Sequence, residues 1–166
     1  MDNAEIQNRL ASALTALTDG SMTTMAELKG ITPSELEAVY SVGYNYYRTG
    51  RIDEADKLFK FLCMFDHLNQ KYWVGMGAVK QVQKDYRTAI ACYGYAMFLD
   101  FDNPKPMFHA AECYLAIGDK ESGKEALATL FKNCPKTTEL GRAYRAKAQA
   151  LLNILDKLPD TPAKEA

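Results

Sequence analysis

Three series of small and large residues recur along this chain at a fixed interval of 34 positions, and that recurrence limits the possible folds more than any other feature. Gly43, Gly77 and Ala111 form the first series, Ala55, Ala89 and Gly123 the second, and Phe59, Tyr93 and Leu127 the third. Small residues recur where two helices approach closely, and large ones where a ring or branched chain fills the gap between them. Val39, Trp73 and Met107 stand one helical turn before the first series, and Tyr46 and Tyr114 three positions after it. Gly50 and Gly118 mark turns inside their units, and Pro135 stands where a repeat breaks.

Period, residue types and order match the tetratricopeptide pattern W-x2-L-G-x2-Y, A-x3-F, P. The expected fold is all-α: an α-solenoid of three tetratricopeptide repeats with an N-terminal helical segment and a C-terminal capping helix. Helix pairs are placed at 35–49 and 53–66, at 69–83 and 87–99, and at 104–117 and 121–133. Thr32-Pro33-Ser34-Glu35 starts the first pair, joining a capping Thr, Pro at the first helical position and Glu three residues after the Thr. The boundaries read as an amphipathic segment over 1–30, repeats over 31–135, a last helix over 136–158 capped by Thr138, and a tail over 159–166 expected to be disordered. In the first segment Asn3 caps a helix with the stripe Ile6, Leu10, Leu14 and Leu17, and a shorter helix spans Thr24 to Lys29. The middle repeat departs most from the pattern, since Lys80 replaces the aromatic found at 46 and 114 and Lys84 replaces the turn glycine.

A length of 166 residues with 48% apolar and 25% charged residues suits one globular domain. No apolar run approaches the roughly 18 residues of a membrane span. The start Met1-Asp2-Asn3-Ala4-Glu5 lacks an export signal, so a cytoplasmic protein is expected. Cys63, Cys92, Cys113 and Cys134 form no Cys-x-x-Cys pair and read as small buried hydrophobes. With a formal charge of −1 and no Lys/Arg cluster, nucleic acid is not expected as a direct ligand. His67 and His109 suggest no nucleophile pair, and no Gly-rich phosphate loop occurs, so the expectation is a non-enzymatic protein without metal or cofactor.

What remains is binding. Two apolar stripes run along the helix that follows Thr32: Val39, Val42, Gly43 and Tyr46 on one face, Tyr40, Tyr44 and Tyr47 on another. The first stripe, with Tyr46 in the core, is expected to pack the helix. The second is either covered by a neighbouring helix or open to a guest. Projecting the 34-residue register along the first helix of each pair lines a groove with Tyr40, Tyr44 and Tyr47, with Val74, Ala78, Gln81 and Val82, and with Phe108, Glu112 and Leu115. Such an aromatic groove favours an extended, proline-bearing segment, which loses little entropy on docking.

The layout resembles the class II chaperones of bacterial type III secretion, the SycD/LcrH-like translocator chaperones. The resemblance rests on Tyr40-Ser41-Val42-Gly43-Tyr44-Asn45-Tyr46-Tyr47, Gly50-Arg51-Ile52-Asp53-Glu54-Ala55, Tyr72-Trp73-Val74-Gly75-Met76-Gly77 and Pro104-Lys105-Pro106. It implies a chaperone whose groove holds an N-terminal segment of hydrophobic translocator proteins, with Tyr40, Tyr44 and Tyr47 on one side and Val74, Ala78 and Phe108 on the other. It further implies a homodimer through Ile6, Leu10, Leu14 and Leu17, and an AraC-type transcription activator as a second partner. The rivals are a passive scaffold and a co-chaperone gripping C-terminal carboxylates. The latter resembles a clamp of Lys and Asn where this chain has Tyr40 and Tyr44; further along only Lys105 matches it, and without most of its cations the clamp cannot hold two carboxylates.

Overall fold

The computed structural model describes residues 7, 8, 11, 15 and 23–157. Helices follow one another as α1 (Met25–Lys29), α2 (Pro33–Arg48), α3 (Ile52–Phe65), α4 (Gln70–Val82), α5 (Tyr86–Leu99), α6 (Pro104–Ala116), α7 (Lys120–Asn133) and α8 (Glu139–Leu155), with no strand among the described residues. The proposed dimer stripe Ile6, Leu10, Leu14 and Leu17 and the tail 159–166 lie outside the described residues.

Local chemistry sets the helix starts. The Thr24 and Thr32 hydroxyls each accept from the backbone N–H three residues on, and Glu27 and Glu35 reach back to the threonine N–H at 2.9 and 2.8 Å. These are two complete capping boxes. Thr138 caps α8 by accepting from Gly141 N at 3.0 Å. In the three intra-repeat turns one residue takes left-handed backbone: Gly50 at φ 78°, Gly118 at φ 85° and, between them in register, Lys84 at φ 61°. The middle repeat therefore keeps the turn geometry without the residue that adopts it freely.

The chain divides into two compact units, 1–72 and 73–166, the division falling inside α4. In the first, Ala55, Phe59, Leu62 and Cys63 of α3 bury their side chains along with Leu36 and Gly43 of α2. In the second, Tyr93 and Ala89 of α5 share one core cluster with Ala110 and Cys113 of α6, while Met107, Ala111, Leu127, Leu130, Tyr144, Ala148 and Leu155 form another. Every member of the three periodic series is buried. The steric reason is plainest at Gly77, where a Cβ would stand 2.6 Å from the Tyr93 ring. In the third repeat the methyl and the hydrogen exchange places: Ala111 occupies the first-series position, and at Gly123 a Cβ would come within 2.7 Å of Leu115.

Two expectations for α2 are corrected. Val42, assigned to the packing stripe, is 47% exposed. At about 100° per residue Leu36, Tyr47 and Tyr40 all lie within roughly 60° of the buried Gly43, whereas Val42 lies about 100° away. Tyr46, expected in the core, is half-buried, with the Arg51 guanidinium 4.3 Å from its ring centroid. All four cysteines are buried, as expected, and none of them forms a disulfide among the described residues. No helix among the described residues is long and apolar enough to cross a membrane.

Candidate functional site

The tyrosine face belongs to the first unit. Tyr40, Tyr44 and Tyr47 follow one another at helical spacings of four and three, which brings their rings into a column. The Tyr40 and Tyr44 centroids are 6.1 Å apart with planes 6° from parallel, and Tyr44 and Tyr47 are 6.5 Å apart at 25°. Tyr40 is the fixed end of the column. Its ring meets Phe59 edge-on at 5.8 Å and Tyr72 at 5.9 Å, and Lys71 Nζ lies 3.9 Å from its centroid while donating to both Glu37 carboxylate oxygens at 2.7 and 2.8 Å. Burial, with Tyr44 and Glu37 adding to it, raises the Tyr40 pKa, so the phenol keeps its proton at neutral pH. Tyr44 is 47% exposed and Tyr40 and Tyr47 are half-buried. The column is anchored at its base and open at its middle.

The second unit carries the remaining expected residues, and the structure sorts them into three kinds. Val74 and Ala78 are half-buried on α4 and Val82 is exposed at its C-terminal end. Gln81 and Glu112 are joined to each other. Tyr93, whose ring fills the space left by Gly77, donates its hydroxyl to Gln81 Oε1 at 2.9 Å. Gln81 Nε2 donates to Glu112 Oε2 at 3.3 Å, and His109 Nδ1 lies 2.8 Å from the same oxygen. Burial alone raises the Glu112 pKa, but the His109 hydrogen bond and charge, the Gln81 bond and the Lys147 charge outweigh it and hold the carboxyl below its ordinary value. The His109–Glu112 pair, a carboxylate three positions after the histidine, was missed from the sequence although its spacing is the helical one. Cys113 beside it is buried, its thiol pushed up to about 12 by desolvation first and by Glu112, so it is no thiolate nucleophile at neutral pH.

Phe108 is the third kind and a correction. It was expected as an open wall of the groove, yet it is only 8% exposed, because Tyr144 of α8 covers it edge-on with centroids 5.5 Å apart. The last helix does more than cap. Phe108, Glu112 and Leu115 of α6 line a cleft of about 460 Å³ with Lys147, Ala150, Leu151 and Ile154 of α8. Those four α8 residues were not among the expected site residues. Ile154, 56% exposed, stands outside the stripe Tyr144, Ala148, Leu151 and Leu155 that packs the helix, and that apolar residue off the stripe was the signal the sequence offered.

Family models described as tetratricopeptide repeat match residues 36–69, 71–103 and 107–137. The low calcium response locus protein H of Yersinia pseudotuberculosis is 34% identical over 131 residues, covering 77% of this chain and 78% of that protein. Among solved structures, the Yersinia enterocolitica type III secretion chaperone SycD in complex with a peptide of the translocator YopD superposes with TM-score 0.71 at 29% identity, covering 76% of this chain and 95% of that one. PcrH, a Pseudomonas aeruginosa protein, in complex with the chaperone-binding region of PopD gives TM-score 0.69 at 36% identity, covering 79% and 98%.

Proposed function

The chain belongs to the class II translocator-chaperone family of type III secretion, a tetratricopeptide repeat family, and from that premise we propose that it binds hydrophobic translocator proteins and keeps them soluble until export. The observation that carries this reading is the ring column on α2, fixed at Tyr40 and open at Tyr44. Three phenols held in parallel cost little further entropy when a guest docks on them, and each offers an apolar face and a hydroxyl at once. A proline-bearing extended segment is the matching guest, since its own conformation is largely fixed before binding. Val74, Ala78 and Val82 on α4, and Glu112 and Leu115 on α6, are the residues of the second unit assigned to client contact, with the α8 wall of the cleft added to them. The work is done by binding, in the bacterial cytoplasm, before the client leaves the cell.

The reading is tested by purifying the chain from secretion-competent cells and identifying by mass spectrometry what travels with it. A secreted, membrane-active protein is expected, lost when Tyr44→Ala replaces the parent. Recovery of a heat-shock protein through its C-terminal tail would overturn the reading in favour of the co-chaperone.

A further inference from the structure

Gly94 stands in the middle of α5, where glycine is less stable than alanine because its backbone loses more freedom on folding. At two other helical positions the glycine answers to sterics: a Cβ would meet other atoms at 2.6 Å at Gly77 and at 2.7 Å at Gly123. At Gly94 a Cβ meets nothing within 4 Å, and the backbone is helical. The fold itself does not require glycine here.

The open space is the edge of a cavity of about 220 Å³, lined by Ile90, Gly94 and Met97 of α5, by Met107 and Tyr114 of α6, and by Glu125 of α7 among others. An apolar cavity of about 150 Å³ accepts one benzene ring, so this one has room for a phenyl or indole group. Two methionines in its wall adapt to the shape of a ring and make favourable sulfur–aromatic contacts. Among the lining residues Glu125 is the only charged one, so a guest that carries a cation beside its ring is preferred over one that carries an anion.

We propose that this cavity is a docking site for one aromatic side chain of a partner protein, presented by a segment in which Lys or Arg flanks that side chain. The proposal goes beyond client binding on α2 and stands independently of it. Glycine at 94 keeps the mouth open, the thioethers of Met97 and Met107 hold the ring, and Glu125 pairs with the flanking cation.

The test follows the methyl resonances of Met97 and Met107 in the full chain during titration with capped tripeptides Arg-Phe-Arg, Glu-Phe-Glu and Arg-Ala-Arg. Saturable shifts with Arg-Phe-Arg are expected, at an affinity at least about fivefold tighter than with either control, as a close charge pair and a buried ring each supply that factor. Gly94→Leu fills the mouth and abolishes the shifts, Glu125→Gln removes the preference over Glu-Phe-Glu, and Gly94→Ala melts at or above the parent temperature. The proposal is overturned if Arg-Phe-Arg gives no saturable shift, if binding survives Gly94→Leu, if Glu-Phe-Glu binds equally well, or if Gly94→Ala melts several degrees lower and so shows the glycine to be structural. Should Gly94→Leu fail to fold, Glu125→Gln decides alone.

Discussion

The Tyr93 hydroxyl donates to Gln81 Oε1 at 2.9 Å, and through the amide of that glutamine the ring that packs the middle repeat is tied to Glu112 of the next. A packing residue and a polar surface residue are thus parts of one chain of hydrogen bonds. Tyr93→Phe removes the donor and leaves the ring, so a loss of about 1 kcal/mol is expected, or about 3 °C in melting temperature. In a double-mutant cycle with Gln81→Ala the coupling should be of similar size. Additive losses would mean that the bond contributes nothing.

Gly77→Ala places a methyl 2.6 Å from the Tyr93 ring, which is itself fully enclosed. Overpacking of this kind costs about 1–3 kcal/mol. Thermal melting should show a clear drop, and a Gly77→Ala protein as stable as the parent would show that the α4–α5 crossing relaxes freely.

Lys84 takes the left-handed backbone at φ 61° that Gly50 and Gly118 take in the other repeats. Lys84→Gly relieves that strain at the cost of a more flexible unfolded chain. A net gain of about 0.5–1 kcal/mol is expected, read as a higher urea midpoint with unchanged slope.

Because the folded-state pKa of Glu112 is lowered, its contribution to stability is present above the unfolded carboxyl value of about 4.3. That contribution is lost as pH falls through the folded value below it. Urea midpoints measured from pH 6 down to pH 3 should therefore fall less steeply for Glu112→Gln than for the parent. Parallel profiles would show that the His109 and Gln81 bonds do not favour the charged form.

Tyr44 is the most exposed member of the ring column. Tyr44→Ala should weaken client binding by about 2 kcal/mol, the size of a hot-spot truncation, with little change in melting temperature. Calorimetric titration with the client segment measures the first and thermal scanning the second. Equal losses in both would make the column a packing element rather than a binding face.

The repeat period was sufficient for the helices from α2 to α7. Capping boxes at Thr24 and Thr32, the cap at Thr138 and the small-large series at 43, 77 and 111 are consequences of chemistry within a few residues or of one contact repeated three times. Such signals are written along the chain. The tyrosine column was legible for the same reason, since ring spacing on one helix follows from helical geometry alone.

Which face of a helix is finally covered is another matter, because it depends on atoms far away in sequence. The periodic register put Phe108 in the same wall as Val74 and Ala78, but α8 lies outside the periodic series, and only its folding back onto α6 brings Tyr144 over that ring and Lys147 and Ile154 to the cleft. Val42 shows the same limit at smaller scale: its residue type fits a core, and the direction in which α3 approaches α2 leaves it in water. Composition and spacing thus determined the helices, their caps and the close crossings, while the three-dimensional packing alone decided which apolar side chains are core and which remain for a guest. Burial is a property of pairs of surfaces, and a single strand of sequence specifies only one surface of each pair.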